Sequence, residues 1–181
     1  MPIPKEKKYT ADEFFALIPE TNEHIELING EIIAQAAPSL THQRLVKKIS
    51  SEIDKYIEFN KGKCEVIQSP FDVKLDYRTV VQPDILVICD PSKLDEKRCN
   101  GAPDFVVEVV SGNGSDDYIR KLDLYRKSGV REYWIVDPQA ERIAVYIFGK
   151  ELELNIYTFS QPVPVRIYDG KLELIIADML V

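Results

Sequence analysis

Apolar residues follow several rhythms along this chain, and each predicts an element. Leu45, Ile49, Ile53, Tyr56 and Ile57 recur at three- and four-residue steps, which predicts a long amphipathic helix over residues 41–60 with Gly62 as its stop. Lys47, Lys48 and Lys55 fall on its other faces and read as solvated surface. Upstream, Thr10 and Glu13 are spaced as a capping box for a short helix with Phe14, Phe15, Leu17 and Ile18 on its apolar side and Pro19 at its end. Asn29-Gly30 between two β-prone runs, 24–28 and 31–35, is a hairpin signal, because both residues tolerate positive φ. Asp72, Lys74 and Asp76 alternate with Val73 and Leu75, as on a strand with one wet face, and Pro70 marks an interruption before it.

The runs 80–88 and 105–110 are nearly continuous in Val and Ile. Such runs predict strands buried on both faces, as at the centre of an α/β sheet. A helix over 116–128 follows the second run, with Ser115 as N-cap, Gly129 as stop and Tyr118, Leu122 and Tyr125 as its sheet-facing stripe. With the strand at 133–136 it completes a right-handed βαβ unit. The loop 90–101 is charged, with a helical turn expected at 92–97. Four later runs, 142–148, 152–159, 165–168 and 172–176, predict an antiparallel extension with turns at Gly149-Lys150 and Asp169-Gly170. The expected architecture is α/β: a mixed, twisted β-sheet flanked by helices, in one domain over 9–181 behind a mobile tail at 1–8.

Composition refines this picture only slightly. The 181 residues, 45% hydrophobic and 29% charged, suit one globular core. No apolar run approaches the ~20 residues of a membrane span, and the start M-P-I-P-K-E-K-K lacks the apolar segment of a signal peptide, so no membrane association is expected. Cys64, Cys89 and Cys99 make an odd count without C-x-x-C spacing. Neither a disulfide framework nor a zinc site is expected, and a reducing cytoplasm is the default compartment. The net charge of −7 and pI near 5.0 argue against tight non-specific binding of nucleic acid, which rests on basic surface.

Two acids interrupt the apolar runs. Asp84 follows Pro83 at the head of I-L-V-I, and Glu108 sits between Val106-Val107 and Val109-Val110. Carboxylates in such places are costly unless paired, hydrogen-bonded or bound to a metal. If the two strands are neighbours, both can face one cavity. Two carboxylate oxygens with waters and a substrate phosphate are a usual way to hold Mg²⁺, and such an ion activates phosphodiesters toward hydrolysis. On the following helix Lys121 can lean toward the sheet and stabilise developing charge, and Asp117, four residues earlier, is spaced to pair with it.

Longer motifs carry a resemblance. Q-P-D-I-L-V-I-C-D-P-S-K-L, G-A-P-D-F-V-V-E-V-V-S and K-L-D-L-Y-R-K-S-G-V-R-E-Y-W-I-V-D-P closely resemble the Uma-two family of "putative restriction endonucleases", within the PD-(D/E)XK nuclease superfamily. The likeness also takes in E-L-I-N-G-E and S-L-T-H-Q. It implies a restriction-endonuclease-like core and a DNA endonuclease using Mg²⁺, with Mn²⁺ as a substitute. The motif's metal-binding acids fall on Asp84 and Glu108. Its lysine, two positions after the Glu, would stand where this chain has Val110, so the resemblance moves that role to Lys121. It also brings Glu31 and His42 toward the site as auxiliary residues. Family members usually carry Ser-Pro after the strand bearing the Glu; here Ser111-Gly112-Asn113-Gly114 lacks the proline and is one residue shorter. The rival expectation is a catalytically degenerate nuclease fold that binds DNA or protein. A homodimer formed through the late β runs is compatible with either.

Overall fold

The computed structural model describes residues 7–18, 24–35, 37–111 and 115–180, with the backbone alone for 115–117. The expected tail therefore lies outside the described residues at 1–6, as do Pro19 and the turn 112–114. Among the described residues the chain forms three α-helices, two mixed sheets and a small two-stranded ribbon. The single mixed sheet expected from the sequence is thus divided in two.

Helix α1 (Ala11–Leu17) starts at a complete capping box between Thr10 and Glu13 and buries Phe14, while Leu17 stays exposed. The hairpin β1 (Ile25–Ile28) and β2 (Glu31–Ala34) turns on Asn29 (φ 51°) and Gly30 (φ 85°), the positive values that Asn-Gly accommodates. Helix α2 (Leu40–Phe59) buries Leu45, Ile49, Ile53 and Ile57 in a line along one face. Its left-handed exit falls on Lys61 (φ 51°) rather than on Gly62, whose amide instead bonds the Ile57 carbonyl.

The division into two sheets comes from one bent hairpin. Its arms are β3 (Glu65–Gln68) with β4 (Asp72–Asp76), and β5 (Thr79–Val81) with β6 (Ile85–Ile88). Near the turn at Tyr77-Arg78, β4 pairs antiparallel with β5 in the five-stranded sheet, ordered β2-β1-β5-β4-β7, where β7 is Arg98–Asn100. Further along, β3 pairs antiparallel with β6 in the six-stranded sheet. Pro70 and Pro83 both fall between these two pairings. The ladder is interrupted over this stretch in both arms, and the hairpin crosses from one sheet to the other. The continuous strand expected over 80–88 is therefore two strands, with Gln82-Pro83-Asp84 at the corner.

The six-stranded sheet runs β11-β10-β9-β8-β6-β3. Strand β8 (Phe105–Val109) is buried throughout and lies parallel to β9 (Glu132–Asp137), with α3 (Ser115–Ser128) as the crossover. Gly129 (φ 96°) ends α3 as expected. Its buried residues are Lys121, Leu124 and Tyr125, with Tyr118 and Leu122 half-buried at the flanks, so the inward stripe is turned slightly from the expected one. Strands β10 (Arg142–Phe148) and β11 (Leu152–Thr158) extend the sheet antiparallel. The last two runs differ from expectation. The run 165–168 is not a strand: a short strand β12 (Val163–Pro164) precedes it and pairs with β13 (Glu173–Leu174), and 166–168 and 176–179 form 3-10 turns.

Helix α2 covers one face of the six-stranded sheet over a core that includes Ile85, Val87, Val107 and Trp134. On the other face, Leu86, Ile88, Val106 and Tyr133 pack with Leu124 and Tyr125 of α3 and with Val73 and Val81 of the five-stranded sheet. No helix among the described residues is long and apolar enough to cross a membrane.

The cysteines correct the sequence reading. Cys64 and Cys89 are joined in a disulfide, and Cys99 is free and buried. The antiparallel register Glu65↔Ile88 puts positions 64 and 89 opposite one another at the ends of β3 and β6. Residue count and spacing carry no information about that register.

Candidate active site

The β6–β8 register, Ile85↔Val107 and Leu86↔Val106, continues to place Asp84 opposite Glu108. The Asp84 amide lies 3.4 Å from Glu108 Oε2, and Asp84 Oδ2 accepts from the Val109 amide at 2.8 Å. Each acid thus meets the backbone of the other's strand. His42, in the first turn of α2, approaches Asp84 Oδ2 with Nε2 at 3.0 Å. With Nε2–H donating to the carboxylate, Nδ1 is left as a bare acceptor, and that atom is buried without a hydrogen-bond partner among the described residues.

Lys121 enters from α3, only 4% exposed. Its Nζ donates to Glu108 Oε1 at 3.2 Å and to Glu26 Oε1 at 2.9 Å. Tyr125, one helical turn further, donates its hydroxyl to the same Glu108 oxygen at 2.8 Å. Glu26 in β1 is fully buried and also accepts from the Gln82 amide at 2.8 Å and from Gln35 Nε2 at 2.9 Å. The corner at 82–84 thereby ties an acid of one sheet to two acids of the other.

Of these groups His42, Gln82, Asp84, Glu108 and Lys121 line a cavity of about 570 Å³, together with Tyr118. Tyr118 spans its rim, with its hydroxyl 3.3 Å from the Val109 carbonyl and from the Ser111 amide. Burial pushes the Glu108 carboxyl up to about 7; Lys121 opposes the shift, and Asp84 and Glu26 add to it. Burial also lifts the Tyr118 hydroxyl to about 12 and holds the Tyr125 hydroxyl well above its ordinary range. Lys121 is thus held between two carboxylates, and Asp84 lies beside the second of them.

The sequence-derived candidates divide as follows. Asp84, Glu108, Lys121 and His42 come together. Glu31 does not: it sits at the start of β2 and pairs with Lys8 on the surface. The Asp117 side chain lies outside the described residues. Glu26, Gln35, Gln82 and Tyr125 were missed. Glu26 was within reach of the same rule that picked out Asp84 and Glu108, since it is an acid inside the apolar run I-E-L-I.

No cluster of three or more His, Cys, Asp or Glu among the described residues forms a ready-made metal cage. The donor set still suits a hard divalent ion, because Asp84 and Glu108 offer carboxylate oxygens side by side at a cavity that admits water and a phosphate.

The two-sheet α/β arrangement is that of a restriction-endonuclease-like protein. It is similar to the crystal structure described as "a putative nuclease belonging to DUF820 from Anabaena variabilis ATCC 29413", with a TM-score of 0.77 over 94% of this chain and 97% of that one. At 24% identity that likeness speaks for the fold alone. Residues 11–168 match the family model "Uma2: Putative restriction endonuclease", and the chain belongs to the Uma2 family. It is also 27% identical over 153 residues to "Uncharacterized protein sll1609" of Synechocystis sp. (strain ATCC 27184 / PCC 6803 / Kazusa), covering 81% of this chain and 84% of that one.

Proposed function

We propose that this protein is a DNA endonuclease dependent on Mg²⁺ or Mn²⁺. The observation that carries the reading is the convergence of Asp84, Glu108 and Lys121, from two strands and a helix, on one cavity. Asp84 and Glu108 would hold the ion, which supplies Lewis-acid polarisation of the phosphodiester when bound. Lys121 would set a fixed positive charge against the charge that develops on the phosphate oxygens. Glu26 would position Lys121 from the far side, and His42 with the Val109 amide would fix the Asp84 carboxylate. Tyr125 would orient Glu108.

The test is nicking of supercoiled DNA by purified protein with Mg²⁺ or Mn²⁺. Asp84→Ala is expected to abolish nicking while circular dichroism and the melting curve stay close to wild type. Asp84→Asn, which keeps the shape of the side chain, should do the same. Cleavage that persists in both variants would sink the assignment. The net charge of −7 favours a second reading, a degenerate nuclease fold that binds partners without cutting. Calorimetry separates the two: a catalytic site binds the divalent ion and loses it in Glu108→Gln, whereas a degenerate one shows no such binding.

A further inference from the structure

Strand β11 is an edge of the six-stranded sheet. Its side chains Leu152, Leu154 and Ile156 are 41%, 51% and 56% exposed. Alternation puts these three on one face, beside Phe148, Tyr146 and Ala144 of β10, their partners in register. That is the face on which α3 packs, but α3 covers the sheet at β9, leaving an aliphatic strip along the edge. The opposite-facing residues of β11 are Glu153, Asn155 and Tyr157, of which Tyr157 packs against the core under α2.

The backbone shows which groups of the edge are open. The Phe159 amide bonds the Glu141 carbonyl, and the Gly149 amide bonds the Glu151 carbonyl. Odd-numbered residues of β11 therefore turn their amides and carbonyls to β10, and even-numbered ones turn theirs outward. At one end Thr158 is already capped, its amide by the Gln161 side chain and its carbonyl by the Gln161 amide. Leu152, Leu154 and Ile156 remain, the same residues that carry the aliphatic strip.

We propose that β11 pairs with β11 of a second copy of this chain, antiparallel, about a two-fold axis at Leu154. This register engages every outward residue left open: Leu154 faces Leu154, and Leu152 faces Ile156. On the other face Glu153 meets Asn155 and Glu151 meets Tyr157, so no acid faces an acid. A shift by two residues toward Glu153 would place acid beside acid, and a shift toward Ile156 would run into the Gln161 cap. The self-pairing uses up both edges and closes at a dimer. It also removes the exposed aliphatic edge that would otherwise invite open-ended association.

Light scattering on the intact protein from low to high micromolar concentration tests the assembly. Wild type is expected to be a dimer. Leu154→Lys, which sets two like charges opposite one another at the axis, is expected to weaken it roughly 100-fold with an unchanged melting curve under monomeric conditions. Register is read by cysteine cross-linking: Glu153→Cys mixed with Asn155→Cys should cross-link under mild oxidation far better than either variant alone. A monomer at all concentrations, larger aggregates, a dimer indifferent to Leu154→Lys, or equal cross-linking by the single variants would each overturn the proposal.

Discussion

At the scale of single residues, the informative feature is an acid where packing would prefer Val. Glu26, Asp84, Glu108 and Glu132 all meet that description, and all are buried. Their environments separate them. Glu132 accepts from Trp134 Nε1 at 2.7 Å and from the Ile167 amide at 2.8 Å, and it faces the core under α2, where it holds the C-terminal segment. Glu26, Asp84 and Glu108 share a lysine or a histidine beside a cavity. Glu108 carries a pH signature. Its ordinary value is 4.5, and in the folded protein it rises to about 7. Between those values the folded state keeps a proton that the unfolded state has released. Stability from this group therefore falls as pH rises through that window, by on the order of 3 kcal/mol at most. A divalent ion needs the deprotonated carboxylate, so it should restore stability mainly above pH 7. Thermal unfolding should show Mg²⁺ or Mn²⁺ raising the melting temperature at about pH 8 and hardly at about pH 5. Glu108→Gln should lose both this shift and its part of the pH slope. Equal stabilisation at both pH values would rule out Glu108 as a ligand.

At the scale of elements, local signals carried the helices and turns well. The capping box at Thr10, the Asn29-Gly30 turn and the stop at Gly129 depend on backbone preferences within a few residues. The Asn-Gly hairpin can be tested directly. At Gly30 φ is 85°, and a Cβ would lie 3.1 Å from Lys8 Cβ and from the Tyr9 carbonyl oxygen. Gly30→Ala should therefore cost about 1–2 kcal/mol, read as a lower denaturation midpoint with an unchanged slope. A neutral result would mean the hairpin turn relaxes away from its left-handed geometry. The bent hairpin was less legible. Pro70 was visible as an interruption but Pro83 was not, and that both fall between the two pairings follows from pairing across the turn at Tyr77-Arg78. The crossing between those pairings makes one long hairpin the link between two sheets and puts Asp84 at the corner.

At the scale of the whole molecule, register decides what spacing could not. Cys64 and Cys89 are 25 positions apart in sequence yet opposite in the β3–β6 pair. Denatured, oxidised protein should therefore react with a thiol reagent at Cys99 alone, and at all three cysteines after reduction. Three reactive thiols before reduction would show that the pair is not formed. The site is likewise a product of long-range assembly, since Glu26 and Lys121 meet across 95 residues of chain.

The amino-acid pattern by itself determined the three helices, the Asn-Gly hairpin, the βαβ unit, the restriction-endonuclease-like core through its motifs, and Asp84 and Glu108 as candidate residues. These follow from periodicity, from backbone preference and from the cost of an acid in an apolar run, all of which act over short stretches. Only the tertiary structure decided that the sheet is two sheets, that Glu26 rather than Glu31 meets Lys121, that Lys121 is buried between two carboxylates, and that two cysteines pair. Each of those depends on which strand lies beside which and in what register. The energy that fixes such pairing comes from burying all the faces together, not from any one segment.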